Sequence, residues 1–190
     1  MGCKLMKVEN KCWYKDYLRT TDDDNFILSH FIRDYLTQQR LRFIIFFRNY
    51  QNTNNKLAKL FYHYKLFRLS RKYGIEIPPT TKIGKGFVMI HPYNITINSE
   101  AILGDNINIM KGATIGLSRG KKDGVPTIGN CVYIGLNSTI IGGIKIGDDV
   151  MIAPNTLVNT DVPSHSVVIG SPCKIIPKQN ATKQYVFYKV

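Results

Sequence analysis

The stretch IGNCVYIGLNSTIIGGIKIGDDVMIAPNTLV, residues 128–158, decides the fold. Ile128, Ile134, Ile140, Ile146, Ile152 and Val158 recur at every sixth position. Glycine follows the aliphatic at Gly129, Gly135 and Gly147, and Val132, Ser138, Val150 and Thr156 stand two places before it. A helix repeats near 3.6 residues and a half-buried strand at two, so neither gives a period of six. A short strand plus a corner does. Three such sides close one triangular coil, and stacked coils bury a continuous core while pairing their strands from coil to coil. The aliphatic then points into the prism. The glycine is expected to relieve crowding at the corner, in a left-handed conformation that costs it little.

Working outward, Ile97, Leu103, Ile109 and Ile115 keep the same interval, with Ala101 and Ala113 as the small residues, and Ile83-Gly84 reads as an earlier member. From Ile115 to Ile128 the interval is 13 rather than 12, so the loop GLSRGKKDGVPT interrupts the pattern. Composition changes at the other end of the repeat. Residues 26–73 contain neither Gly nor Pro, whereas 14 of the 15 glycines and all eight prolines lie from Gly74 onward. The chain therefore divides into a basic, aromatic-rich helical segment (1–75), a β-helix domain (76–177) and a C-terminal tail (178–190).

In the helical segment, NFILSHFIRDYLTQQRLRFIIFFRN reads as one amphipathic helix from its three- and four-residue apolar steps. QNTNN at 51–55 breaks it. Asn54 or Asn55 is placed to cap a second helix that runs to Tyr73 and stops at Gly74. The net charge of +13 concentrates here, with ten basic residues against Asp34 alone between Asn25 and Tyr73. No nucleic-acid motif accompanies the charge. Two readings stay open. The segment is a cap whose aromatics pack on the next domain, or residues 25–73 associate peripherally with an anionic membrane.

The remaining composition excludes much. With 190 residues, 44% hydrophobic and 21% charged, the chain is globular and long enough for a sizeable core. No window approaches 18 uncharged apolar residues, and no apolar run follows the first ten, so neither a spanning helix nor a secretory signal is expected. Met1-Gly2-Cys3 hints at acylation, but Met6 stands where that pattern wants Ser or Thr. Cys3, Cys12, Cys131 and Cys173 are widely spaced, as expected of reduced thiols in a cytoplasmic protein. Two repeat-domain histidines, His91 and His165, fall short of a three-histidine zinc site, so no metal is expected.

Residues 76–176 resemble the hexapeptide-repeat acyltransferases, which implies a left-handed parallel β-helix. IEIPPTTKIGKGFVMIH (75–91), GATIGLSRGKKDGVPTIGNCVYIG (112–135) and DVPSHSVVIGSPCKIIPK (161–178) are similar to the serine O-acetyltransferase branch. The resemblance implies acetyl-CoA as co-substrate, His91 as general base and Glu76, fifteen residues upstream, as the carboxylate that orients it. Imidazole, with an ordinary pKa of about 6.5, can take a hydroxyl proton as the new bond forms, and a carboxylate on its other nitrogen fixes the tautomer. It further implies an oxyanion region at Gly116 and Leu117. The coenzyme would be held by Leu136, Pro154, Gly170 and Lys174, and three subunits would share donor sites in a homotrimer. His165 is implied to be a turn residue.

The acceptor region departs from that branch. Ile90 stands where those enzymes have Asp, and Gly124-Val125 where they have Arg-His before Pro126. Losing charges of both signs removes anchors for a zwitterion. The expected acceptor is therefore a saccharide hydroxyl, as in the O-acetyltransferases of capsular or surface polysaccharide. Serine O-acetylation is the alternative, and a non-catalytic β-helix scaffold the second.

Overall fold

The structure is a computed structural model that describes residues 12–21, 27–120 and 122–190. The Met1-Gly2-Cys3 signature and Cys3 lie outside the described residues. Among the described residues four helices lead the chain: α1 (Cys12–Leu18), α2 (Leu28–Thr37), α3 (Gln39–Asn52) and α4 (Lys56–Tyr73). Fifteen strands of two to four residues follow, from β1 (Ile75–Glu76) and β2 (Lys82–Ile83) to β14 (Ser166–Ile169) and β15 (Lys174–Pro177).

Every third strand stacks on the last. Sheet A has the order β1-β4-β7-β10-β13, sheet B β11-β8-β5-β2 and sheet C β15-β14-β12-β9-β6-β3, all parallel except the β14–β15 pair. The fold is the left-handed parallel β-helix, with the helical segment at its start. All ten in-phase aliphatics are buried, and so are the small residues two places before them, from Ala101 to Thr156. Each side thus sends two residues inward, and the prism is filled.

The glycines have a different cause from the one read in the sequence. Gly84, Gly104, Gly129, Gly135 and Gly147 are absent from the positive-φ set. What forbids a side chain is the next coil. A Cβ on Gly104 would lie 2.7 Å from the carbonyl oxygen of Gly129, and one on Gly135 2.6 Å from the nitrogen of Pro154. Left-handed corners fall to other residues, among them Asn94 (φ 53), Asn106 (59), Asn137 (53), Asp149 (54) and Asn155 (55). Asn and Asp tolerate that region better than most side chains. Gly104→Ala is therefore expected to destabilise by about 1–3 kcal/mol, as overpacking does. Gly116→Ala should be nearly neutral, because the nearest atom to its Cβ is 3.7 Å away. Urea midpoints of the two variants check the contrast.

The loop reading also changes. Ile115 pairs with Ile140 in sheet A and Ile128 with Leu103 in sheet B, so these two aliphatics are one side apart rather than two. The loop inserts about seven residues into a single six-residue side. Mutual backbone hydrogen bonds between Ser118 and Gly124, 3.1 Å each, close it. Gly143 donates to the carbonyl of Lys122 at 2.9 Å, and the Lys122 ammonium meets Asp161 at 2.7 Å.

The helices meet the first coil through α3, whose Phe43, Ile44 and Phe47 join the core. The expected single helix over 25–49 is broken within the described residues, since Gln38 at φ −105, ψ 112 ends α2. Its amide donates to the Asp34 carbonyl at 2.8 Å and its side chain to the Asp34 carboxylate at 3.0 Å. The bend lets Phe31 stack on Trp13 (centroids 5.3 Å apart) while α3 covers the prism. Asn55 caps α4, accepting from the amides of Leu57 and Ala58, and Gly74 ends it in the left-handed region at φ 65.

Residues 178–190 lie against sheet C rather than trailing away. Asp149 accepts from the amides of Ala181 and Thr182, the Thr182 hydroxyl (2.7 Å) and His165 Nδ1 (2.9 Å). Tyr185 packs on Tyr133 with centroids 4.6 Å apart. Burial alone would raise the Asp149 pKa, but these hydrogen bonds outweigh it and hold the carboxyl at about 2. Because the folded value lies below the ordinary 3.8, the anchor is fully present above that pH and is lost as pH falls towards 2. Hydrogen exchange at the Ala181 and Thr182 amides should accelerate across that window, and Asp149→Asn should bring the same acceleration at neutral pH.

Candidate functional site

One edge of the prism, where sheet C turns into sheet A, collects most of the expected site. Ile90 pairs with Met110, Ile109 with Ile134, and Ile152 with both Ile134 and Val168. Carried one or two residues past the strand ends, that register puts His91, Lys111, Leu136, Pro154 and Gly170 in one row. Four coil-to-coil steps of about 4.8 Å make the row about 19 Å long. His91 heads it. Gly170 (φ 91) ends it, donating to the Thr156 hydroxyl at 3.2 Å, and the exposed Lys174 lies past the following turn.

The corner at His91 is larger than the others. Ile75 pairs with Ile95, a coil of 20 residues, against 18 between Thr96 and Thr114. The surplus is spent at His91-Pro92-Tyr93, where Tyr93 donates to the His91 carbonyl at 2.8 Å and Gly112 to the Tyr93 carbonyl at 3.0 Å. His91 itself takes φ 50, and its side chain is exposed. Tyr73 meets Tyr93 edge to face at 5.5 Å, so the end of α4 buttresses this corner. An imidazole held out from a packed corner can reach a bound hydroxyl.

Glu76 lies on β1, two residues past the same edge, opposite Thr96. No hydrogen bond or ion pair joins it to His91. Its exposed carboxylate instead borders a cleft of about 310 Å³ between α4 and sheet A, lined also by His63, Leu66, Phe67 and Ser70. His63 carries no mark in the sequence, because nothing local shows that a helical histidine borders the β-helix.

The other expected residues are elsewhere. Gly116 ends β7 (Thr114–Gly116) at the opposite edge of sheet A, with Leu117 exposed beyond it. Gly124 (φ 120) and Val125 belong to the loop there, and a Cβ on Gly124 would come within 3.3 Å of the Gly143 Cα. One chain therefore separates Ile90 and the row headed by His91 from Gly116, Leu117, Gly124 and Val125 by the width of sheet A. His165 (φ 58) is a corner residue bonded to Asp149. Among the described residues, no group of three or more His, Cys, Asp or Glu side chains is placed to hold a metal ion.

The model of the family described as "Bacterial transferase hexapeptide (six repeats)" matches residues 126–160. The chain belongs to the hexapeptide-repeat transferase superfamily. Within this superfamily it is 43% identical over 111 residues to serine acetyltransferase 4 of Arabidopsis thaliana, which covers 57% of this chain and 31% of that protein. With the serine acetyltransferase of Helicobacter pylori (strain ATCC 700392 / 26695) it shares 40% identity over 108 residues, 55% of this chain and 62% of the other. The matches thus span only 31% and 62% of these two relatives. The structure of serine acetyltransferase in complex with coenzyme A from Brucella abortus strain S19 superposes with a TM-score of 0.71 at 26% identity. It covers 94% of this chain and 70% of that one, so the likeness takes in the helical segment as well as residues 76–176.

These likenesses correct the saccharide acceptor. The relatives are named for serine, not for a polysaccharide. Ile90, Gly124 and Val125 do not form one wall within a single chain. Gly124 is instead held by its positive φ and its bridge to Ser118, which closes the loop, and it stands an edge away from Ile90 and His91. The identity of residue 124 answers to backbone geometry, so a missing charge there says little about the acceptor.

Proposed function

We propose that this chain is a serine O-acetyltransferase that moves the acetyl group of acetyl-CoA to the serine hydroxyl. The identity of 38–43% to plant and bacterial proteins named serine acetyltransferase carries the reading. His91 accepts the hydroxyl proton as the serine oxygen attacks the thioester carbonyl. The carbon–sulfur bond breaks, and the same proton passes from the imidazolium to the departing thiolate. Glu76, two residues past the edge, turns to the imidazole in the acceptor complex, where hydrogen bonds that are long in the free enzyme tighten. Acetyl-CoA lies along the row from His91 to Gly170, with Leu136 and Pro154 beside its arm and Lys174 facing a phosphate as a point charge. The row is straight, open and free of buried charge, which suits an extended arm.

The separation of Gly116 and Leu117 from His91 supports a site shared between protomers, hence a homotrimer whose neighbour brings its loop to this edge. Light scattering at micromolar concentration should give a trimeric mass, and a monomer would overturn the shared site. For the acceptor, thiol release from acetyl-CoA is measured with L-serine and with glycans in turn. Serine-dependent release well above the glycan background is expected; release with no preference for serine would overturn the assignment.

A further inference from the structure

Helix α4 carries an apolar stripe that stays about half exposed or more, although Phe61 meets Phe46 edge to face and Phe67 borders the cleft at Glu76. Leu57 (78% exposed), Leu60, Phe61, Tyr64 and Phe67 (49%) stand three and four residues apart. At 3.6 residues per turn they form one stripe, on the side opposite Leu66, the buried residue of this helix. Lys56, Lys59, Lys65, Arg68, Arg71 and Lys72 surround the stripe, and the helix contains no Asp or Glu. The basic side chains lie along the rings. Lys65 sits 5.3 Å from the centre of Phe61, Arg68 5.9 Å from Tyr64 and Arg71 5.6 Å from Phe67. A contiguous apolar face of this kind marks an interaction surface rather than an ordinary exposed helix.

We propose that α4 lies in the surface of an anionic lipid bilayer, with its apolar stripe among the headgroups and its bases on the lipid phosphates. The charge selects this partner. Two copies meeting stripe to stripe would bring two wholly basic helices together with no acid between them, and a neighbour that covered the stripe with another face is told apart by the mass of the leucine variant below. A nucleic acid would use the bases and the rings but would leave Leu57 and Leu60 in water. No helix among the described residues is long and apolar enough to cross a membrane, so α4 lies on the bilayer rather than through it. Basic residues gather at anionic lipid over a Debye length, which makes the contact dependent on salt.

The test is co-sedimentation of the full chain with vesicles of phosphatidylcholine alone or mixed with phosphatidylglycerol. Binding is expected to the mixed vesicles only, weakening about tenfold or more as salt rises from about 0.1 to about 0.5 M. Leu57→Gln with Leu60→Gln should weaken it by a similar factor while leaving oligomeric mass and thermal midpoint unchanged. Lys65→Gln with Arg68→Gln should lower the preference for phosphatidylglycerol. The proposal falls if the unaltered protein ignores the mixed vesicles at low salt, or binds both kinds equally. It also falls if the leucine variant binds as well as the unaltered chain. A smaller mass in that variant would assign the stripe to a second copy and overturn the proposal too.

Discussion

Replacing His91 by alanine is expected to lower acetyl transfer by roughly a hundred- to ten-thousand-fold, the usual contribution of a general base. The KM for acetyl-CoA should move little, because the imidazole handles the proton of the acceptor. His91 owes its position to a corner two residues longer than the others, with a left-handed φ that histidine tolerates. Alanine at that φ adds some strain, so His91→Asn is the better partner experiment; it keeps the corner and removes the base. Both variants should lose turnover alike. Glu76→Gln should cost less and should alter the shape of the pH–rate profile. Near-normal turnover in His91→Asn would remove the assignment.

Replacing Arg48 by methionine should destabilise the protein by about 3–5 kcal/mol, the usual result of leaving one partner of a buried ion pair alone. Arg48 and Asp16 are 3% and 2% exposed and meet at 2.8 and 3.2 Å. The arginine also donates to the carbonyls of Ile83 (2.6 Å) and Gly84, while Asp16 accepts from the Phe87 amide at 2.8 Å. One guanidinium therefore ties α1, α3 and the first coil together. The double replacement Asp16→Leu with Arg48→Met should restore much of the loss, since a well-packed apolar pair avoids the desolvation cost. Trp13, the one tryptophan, sits in α1 and reports unfolding of this region in urea. If the single variant unfolds at the same urea concentration as the parent, the helical segment is not held by this pair.

The core of the β-helix was legible because its signal is one-dimensional. A residue every six must face inward if the chain closes into triangles, and Ile97 through Val158 do so. The corners were less legible. A glycine after the aliphatic satisfies either a left-handed φ or a close neighbour, and only the stacking of Gly104 on Gly129 separates the two. The loop was misjudged for a related reason, since an interval of 13 reads as two sides plus one or as one side plus seven. The break at Gln38 left no mark in TQQR, because it follows from aromatic packing on α1 and the bonds to Asp34. At the site, the row from His91 to Gly170 could be assembled from motifs. The distance between Glu76 and His91, and the sheet-wide gap to Gly116, depend on where each strand falls around the prism. The acceptor was misread because Gly124 looked like a lost charge and is a backbone requirement.

The antiparallel strand β15 has a bearing on how these molecules behave when crowded together. A stack of parallel coils ends in open strand edges, and an open edge is a template on which another copy can continue the stack. Here the strand after the last coil reverses and pairs along β14, from Ser166–Pro177 to Ile169–Lys174. At the other end, α3 and α4 lie on the first coil. With sheet C turned back at one end and helices over the first coil at the other, copies meet no parallel edge in that sheet on which to extend the stack.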